Sequence, residues 1–289
     1  MKTPSKLNYD NVPGIKASGK LLVKSILRKF YIKPKNKIVH VTLSTVHLLK
    51  NFIYKAYVDN IHLPIDKPIS NNKGMKGVFL VASYTDKDKD YLPGMIASAD
   101  SFGGIILYHD KNKKHNFKYN ESLRFQKLIA AAKRHDAEWV LIGSPKTRFS
   151  SKFRQQIEPY IKKYTGKKVI LGLKERYLWG QFDQYAYPSN IQGDAIIHKF
   201  FTITDDMVFD NHPIHATQHP INYNEMITTN ASRYYLGRFN LDTMKAKAQF
   251  YSQKDGKDYS YLYNMSKPIK HNENVLGIGD FEKKELLDN

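Results

Sequence analysis

The chain contains no cysteine among its 289 residues. Disulfide bonds, zinc–thiolate sites and catalysis by a thiol are therefore excluded, and this composition is typical of a cytoplasmic protein. Long apolar runs are also absent, because none approaches the roughly 20 residues with which a helix crosses a bilayer. Residues 1–14 lack the apolar segment of a secretory signal peptide. We therefore expect a cytoplasmic protein with no membrane-spanning helix.

Acidic residues are few compared with basic ones: 27 Asp and Glu stand against 46 Lys and Arg, which gives a net charge of +19. Residues 1–76 carry +12 of this excess, with 15 basic and 3 acidic side chains. Such a block favours an anionic neighbour, although it is equally typical of the solvated surface of a lysine-rich protein. No zinc-finger, RNA-recognition or helix-turn-helix signature accompanies it, so we expect no nucleic-acid partner.

Residues 15–32 predict a basic amphipathic helix within this amino-terminal block. Leu22, Ile26 and Phe30 share one face of the helix, and lysines occupy the other. A helix of this kind either lies on an anionic membrane surface or packs against the main domain. Both interpretations stay open, so a peripheral contact with the inner face of the cell membrane is one expectation for residues 1–76.

Three apolar runs, at residues 77–82, 104–109 and 139–142, predict short buried strands. Helical patterns separate them; before the third run, for example, Leu128 and Ala132 repeat at helical spacing. This strand–helix order predicts right-handed crossovers and parallel pairing. The polar residues that follow each strand then gather along one edge of the sheet, where open α/β sheets bind their ligands.

The loop after the third run, GSPKTRF at residues 143–149, resembles the centre of the family-two glycosyltransferases, which have the GT-A fold. In that family the strand usually ends in Asp-x-Asp or in Asp-Pro-Asp-Glu-Arg-Phe, and the carboxylates hold the divalent metal that binds the sugar-nucleotide diphosphate. This chain keeps the Pro and the Arg-Phe pair. Ser144 and Lys146 stand at the two aspartate positions, however, and Thr147 stands at the glutamate position.

The resemblance continues in order along the chain, from the turn at Tyr84 to the aromatic endings near Tyr259. It implies an α/β fold, a GT-A-like three-layer sandwich with a mostly parallel central sheet, in residues 77–265. A basic, partly helical extension at residues 1–76 would precede this domain, and a tail at residues 266–289 would follow it.

The function that the resemblance implies is transfer of a hexosyl group from a nucleotide-sugar donor. The acceptor would be a glycan or a lipid-linked molecule in the synthesis of a bacterial cell-surface polysaccharide. Because the metal-binding aspartates are missing, two alternatives are open. Either Lys146, with Arg148 or Lys113, binds the diphosphate without a metal, or the fold persists as a non-catalytic binding or scaffold protein of a polysaccharide assembly system. We expect no Mg or Mn site, and His215 is the one candidate ligand if a metal is bound.

The strand ends and the resemblance together predict the nucleotide-binding residues, which are Ser83, Tyr84, Asp110, Arg124, Ser144 and Arg148. Lys146 is expected to neutralise the charge of the leaving diphosphate. Trp179 is a candidate to stack on an acceptor sugar, although core packing is equally typical of a single Trp. A base must accept the acceptor's proton, and the candidates are Asp183, Asp205 and Asp206, each of which is also typical of a cap or a surface residue.

Overall fold

The computed structural model describes residues 65–110, 121–188, 194–210, 217–239, 241–256 and 258–287. All of them belong to one compact unit, Val58–Asn289. The helix predicted at residues 15–32 lies outside the described residues, and so do Lys113 and His215.

The described residues form ten strands, five α-helices and two short 3₁₀ helices. The strands are β1 (Ile69–Ser70), β2 (Met75–Tyr84), β3 (Phe102–His109), β4 (Trp139–Ile142), β5 (Thr147–Phe149), β6 (Val169–Trp179), β7 (Gln181–Ala186), β8 (Ala195–Thr202), β9 (Glu225–Tyr235) and β10 (Ile269–Lys270). The α-helices are α1 (Leu92–Ser98), α2 (Glu121–Lys133), α3 (Phe153–Tyr164), α4 (Leu241–Asp255) and α5 (Asp280–Leu287), and the 3₁₀ helices are Asp86–Tyr91 and Ser260–Leu262. None of these helices is long and apolar enough to cross a membrane.

Strands β2, β3 and β4 are parallel to one another, whereas the two-residue edge strand β1 is antiparallel to β3. Strand β2 pairs in parallel with β3 on one side and with β4 on the other. Helix α1 connects β2 to β3, and α2 precedes β4, so each connection is long enough for a crossover. The apolar runs of these strands are buried on both faces, as parallel strands require. The parallel pairing predicted for residues 77–142 is confirmed.

The second half makes the sheet mixed, so the expectation of a mostly parallel sheet is wrong. Strand β8 lies between β4 and β6 and is antiparallel to both, and β7 pairs with β6 as an antiparallel neighbour. Strand β9 runs parallel to β6. Strands β6, β7 and β8 follow one another with at most eight residues between them, and a parallel return needs a connection of about a dozen residues or more. Gly180, with φ of 68°, makes the tight turn from β6 into β7.

Helices cover both faces of the sheet, which gives three layers. On one face, Met95 of α1 and Phe153 and Ile157 of α3 pack on alternate residues of β2, including Leu80. On the other face, α2 contributes an apolar side that includes Leu128. The two cores separate the alternating side chains of the central strands. The α/β class predicted from the sequence is therefore confirmed.

The described part of the predicted tail is integrated into this unit. Strand β10 pairs with β7, with Ile269 opposite Tyr185. In helix α5, Glu282 is 2% exposed and contacts Arg148 of β5. The described residues after 265, which the sequence analysis called a C-terminal tail, thus pack on the sheet domain.

Candidate functional site

A cleft of about 630 Å³ opens beside the carboxyl ends of β2, β3 and β4. Ser83, Asp110 and Lys146 follow or end these strands, and all three line the cleft. Five of the six predicted nucleotide-binding residues line it, namely Ser83, Tyr84, Asp110, Arg124 and Ser144. Parallel pairing explains this convergence, because it delivers successive carboxyl ends to one edge of the sheet.

Tyr84 is fixed at the end of β2 by two neighbours. Its hydroxyl donates a hydrogen bond to the Asp66 carboxylate at 3.0 Å, and its ring stacks on His109 with 4.6 Å between the ring centres. Burial, with the hydrogen bond to Asp66, raises the pKa of Tyr84 to about 12. The hydroxyl therefore remains protonated, and the ring forms a fixed wall at this end of the cleft.

The loop between β4 and β5 is a tight turn that presents Lys146. The Thr147 amide donates to the Ser144 carbonyl at 2.9 Å, and the Ser144 amide donates to the Thr147 hydroxyl at 3.1 Å. The Lys146 carbonyl accepts a hydrogen bond from the Leu236 amide at 2.9 Å. The Lys146 ammonium lies 4.5 Å from the centre of the Tyr91 ring. Both ends of this lysine are thus held in place beside the cleft.

Arg238 and Lys247 join Lys146 in the lining, and we refer to these three residues as the cation cluster. The guanidinium of Arg238 lies 4.2 Å from the centre of the Tyr177 ring, and the ammonium of Lys247 lies 5.8 Å from that of Tyr235. In the part of the chain that the structure describes, no member of the cluster forms an ion pair with a carboxylate. The buried Nη1 of Arg238 has no hydrogen-bond partner there.

A buried ion pair forms another part of the cleft lining. The guanidinium of Arg233 pairs with Glu175, with 3.0 Å between Nε and Oε1, and the Tyr177 hydroxyl donates to the other oxygen at 2.8 Å. Burial alone would raise the pKa of Glu175, but the charges of Arg233 and Lys199 and these hydrogen bonds lower it to about 2. Glu175 is therefore a permanent anion that neutralises Arg233.

Three further carboxylates line the cleft: Asp88, Asp110 and Glu121. Asp88 lies in the 3₁₀ helix after β2 and accepts a hydrogen bond from the Thr85 hydroxyl at 2.8 Å. Its negative charge raises the pKa of Lys247, opposing the larger lowering by burial. Asp88 thus lies within electrostatic range of the cation cluster, and the sequence analysis did not select it.

Arg148, by contrast, does not line the cleft, which corrects its predicted role. Its side chain is fully buried, and all five of its N–H donors have acceptors. These acceptors are the carbonyls of Tyr91, Pro145, Thr147 and Gly277 and the carboxylate of Glu282. With no donor left over, Arg148 holds α5 and neighbouring segments together instead of binding a nucleotide.

The three predicted bases also lie away from the cleft. Asp205 is 92% exposed and pairs with Lys133, and Asp206 pairs with Lys168. Both follow β8, whose carboxyl end lies at the start of β4 because the two strands are antiparallel. They therefore occupy the opposite edge of the sheet. Asp183 is exposed on β7, where its carbonyl accepts a hydrogen bond from the His271 amide at 2.9 Å.

Trp179 is not part of the lining either. It is half-buried at the end of β6 and packs against a small apolar core of Met244, Ala248 and Leu262. The alternative of core packing, considered from the sequence, therefore describes its position. Among the described residues, no three His, Asp or Glu side chains converge as metal ligands.

Sequence reasoning missed Arg238, Lys247 and Asp88 as lining residues. A weak signal exists for Lys247, because it shares a helix face with Tyr251 at a spacing of four residues, and both line the cleft. Comparison with known proteins adds no assignment: no protein-family model matches the chain, and no curated protein matches it.

Proposed function

We propose that this chain is a GT-A-like glycosyltransferase that transfers a sugar from a nucleotide-sugar donor to a glycan or lipid-linked acceptor during assembly of a cell-surface polysaccharide. One observation carries the proposal: cations that have no carboxylate partner among the described residues gather at the carboxyl edge of parallel strands. That edge is where open α/β sheets bind nucleotides. Fold analogy alone would not support an activity, so the cation cluster is the basis for the assignment.

In this proposal one part of the cleft binds the nucleoside and another part binds the diphosphate. Tyr84, Asp110 and Arg124 lie at the ends of β2 and β3 and at the start of α2, where a nucleoside would bind. Lys146, together with Arg238, then binds the diphosphate. Charge-assisted hydrogen bonds from Lys and Arg are strong ligands for phosphate oxygens, and an Arg offers a planar pair of donors. The unpaired Nη1 of Arg238 is one such donor.

The transfer step requires that negative charge on the leaving group be neutralised. The acceptor oxygen forms a bond to the anomeric carbon while the bond from that carbon to the diphosphate oxygen breaks. The electron pair leaves with the diphosphate, and the acceptor's proton passes to a carboxylate. Fixed cations stabilise the developing charge without reorganisation during the reaction. In this proposal the cation cluster takes the role that a divalent ion has in the resembling family.

Asp88 is the carboxylate that we assign as the base. It lines the cleft within electrostatic range of Lys247, whereas Asp183, Asp205 and Asp206 lie outside the cleft. A general base must come within hydrogen-bonding reach of the proton that it accepts. Glu175 is less suitable, because its carboxylate already binds Arg233 and Tyr177.

Hydrolysis of the donor tests this function without knowledge of the acceptor, because water replaces it. UDP-, GDP- and TDP-sugars would be incubated with the protein in EDTA, and release of nucleoside diphosphate would be measured. We expect release from at least one donor, and Lys146→Ala should lower its rate about 100-fold, as loss of one preorganised charge-stabilising donor does. Lys152→Ala, an exposed lysine outside the cleft, is the matched control. Activity that EDTA abolishes would contradict the metal-independent mechanism.

A second candidate is a binding or scaffold protein without catalysis. The observation in its favour is that all three aspartates predicted as bases lie away from the cleft. This candidate predicts that a nucleotide-sugar raises the melting temperature, since it binds the folded state, while no diphosphate is released. Asp88→Asn would then leave every property unchanged. A loss of hydrolysis in Asp88→Asn with binding retained would instead support the enzyme.

The basic residues 1–76 remain the proposed contact with an anionic membrane surface, and we propose no nucleic-acid partner. Juxtamembrane Lys and Arg residues attract anionic lipid at about 1 kcal/mol each, and salt screens this attraction. Sedimentation with vesicles of phosphatidylglycerol should therefore decrease as salt is added. Sedimentation that does not change with salt, or no sedimentation at all, would remove this contact.

A further inference from the structure

A row of three tyrosines lines the cleft on the side of α4 and the second 3₁₀ helix. Tyr251, Tyr259 and Tyr261, which we call the tyrosine row, all belong to the lining. The ring centres are 5.3 Å apart from Tyr251 to Tyr259 and 6.0 Å apart from Tyr259 to Tyr261, with interplanar angles of 40° and 34°. The row ends at Tyr261, which is 40% exposed. It therefore leads from the cleft toward solvent.

Packing beneath the row holds it in place. Tyr251 and Tyr259 pack against the small core of Met244, Ala248 and Leu262, which Trp179 also contacts. The turn that carries Tyr259 and Tyr261 is closed by Asp258, whose carboxylate accepts hydrogen bonds from the amide of Ser260 at 2.8 Å and from its hydroxyl at 2.9 Å. A platform built in this way needs little reordering when a ligand binds, and less affinity is lost to conformational entropy.

We propose that the tyrosine row is the acceptor subsite and that the acceptor is an oligosaccharide. This inference rests on the proposed function and names its acceptor class. The C–H face of a sugar ring is flat and apolar, so it stacks on an aromatic ring. Successive rings at similar spacing fit a chain of linked sugars better than a single small alcohol.

The surroundings of the row are polar, which favours a glycan over a lipid chain. Asp88 and Lys247 line the same cleft. A second hollow of about 260 Å³ lies on the same two helices, and its lining includes Gln249, Ser252, Asp258 and Ser260. Amide, hydroxyl and carboxylate groups are suitable partners for sugar hydroxyls, whereas an alkyl chain would offer them no hydrogen bond.

Calorimetry with defined glycans tests this subsite. The probes are the hexasaccharides of glucose, galactose and N-acetylglucosamine, each added to the full chain with UDP present. We expect at least one of them to bind, and Tyr261→Ala should weaken that binding about tenfold, while Tyr261→Trp should preserve it because the stacking surface remains. The control is Met226→Ala, which removes an exposed apolar side chain of β9 that does not line the cleft.

Two results would overturn the inference. One is that no hexasaccharide binds, or that Tyr261→Ala binds a hexasaccharide as tightly as the wild type. The other is that Tyr261→Ala lowers binding to phosphatidylglycerol vesicles, which would make the row a lipid contact. Binding of UDP is measured in separate titrations of the same protein and does not involve Tyr261 in this proposal. A wild-type chain that binds UDP but none of the hexasaccharides thus refutes the subsite alone, whereas a wild-type chain that does not bind UDP refutes the proposed function.

Discussion

At the scale of single residues, aromatic rings instead of carboxylates hold the cation cluster in place. Lys146 lies over Tyr91, Arg238 over Tyr177 and Lys247 near Tyr235. A cation–π contact contributes about 0.5–2 kcal/mol and leaves the positive charge uncompensated. A carboxylate partner would cancel that charge before a ligand arrived. This arrangement positions the cations while keeping their charge available to a phosphate.

The ring of Tyr235 lies close to more than one member of the cation cluster. Burial raises its pKa, and the charges of Lys146 and Arg238 act on its hydroxyl in the opposite direction, so both cations lie near the same ring. Gly237 lets that ring lie against the backbone. An added Cβ at position 237 would be 2.4 Å from the ring's Cζ and hydroxyl oxygen, which is far inside normal contact.

Gly237→Ala should therefore move the Tyr235 ring and disturb the cluster. Overpacking of this kind costs about 1–3 kcal/mol, so the fold should survive. We expect about tenfold weaker UDP binding by calorimetry, since each tenfold step corresponds to about 1.4 kcal/mol. Gly279→Ala is the matched control, because an added Cβ there makes only an ordinary contact at 3.4 Å. Unchanged UDP affinity in Gly237→Ala would show that Tyr235 does not position the site.

Lys199 predicts a dependence of nucleotide affinity on pH. Burial, together with the charge of Arg233, lowers its pKa to about 8, against the opposing effects of Glu175 and Glu121, and Lys247 lowers it further. The lysine is thus charged below pH 8 and neutral above it. A phosphate in the cleft attracts the charged form only, so affinity should fall as the pH rises through about 8.

Calorimetry with UDP at pH 7 and pH 9 measures this effect. The phosphate groups are almost completely ionised at both pH values, because their last pKa is near 6. We expect about threefold weaker binding at pH 9, as loss of one partly screened charge gives. Lys199→Met should remove the difference. The same pH dependence in wild type and Lys199→Met would assign it to another group.

At the scale of elements, Arg148 and Glu282 join β5 to α5 through a buried ion pair with 2.5 Å between Nη2 and Oε1. Two glycines permit this close approach, since a Cβ at Gly277 would be 1.9 Å from the carbonyl oxygen of Gly94. Strand β5 begins immediately after Lys146, so this tie also anchors the loop that presents the cation. Helix α5 therefore helps to fix the position of the loop that carries Lys146.

Removal of one partner should destabilise the fold strongly. Glu282→Gln leaves the Arg148 charge buried without its counter-ion, and such changes cost about 3–5 kcal/mol. Urea denaturation should show this loss as a lower midpoint with an unchanged slope. The double variant Arg148→Met/Glu282→Leu should recover only part of the stability, because it leaves no buried charge but deprives the carbonyls that Arg148 contacts of their donor. A midpoint for Glu282→Gln equal to that of the wild type would contradict this role for the pair.

Elements differ in how well the sequence predicts them. The buried runs of β2, β3 and β4 and the periodicity of α2 are local signals, and the loop at residues 143–149 follows directly from them. Strand direction in β8 depends on its connections and its neighbours, so the sequence alone does not show that Asp205 and Asp206 lie at the edge opposite the cleft. Arg148 meets Glu282 across 134 residues of sequence, a distance over which local pattern carries no information. For the same reason, the sequence did not predict that Lys247 and Tyr251 of α4 line the cleft.

At the scale of the whole molecule, the excess of basic over acidic residues is also found among the residues that line the cleft. The lining contains six Lys and Arg residues and four Asp and Glu residues, and one of the four, Glu175, is already paired with Arg233. A concave site with such an excess concentrates the field of its charges and attracts anions. The central claim is that this excess, presented by Lys146 and Arg238, binds a nucleoside diphosphate through its phosphates.

Calorimetric comparison of nucleoside diphosphates with monophosphates tests that claim most directly. UDP, GDP and TDP would be titrated beside UMP, GMP and TMP in EDTA. We predict that at least one diphosphate binds ten times more tightly than its monophosphate, and that Lys146→Ala/Arg238→Ala removes this difference while Lys152→Ala keeps it. Equal affinity for diphosphate and monophosphate, or binding that appears only when Mg or Mn is added, would contradict the role of the cation cluster.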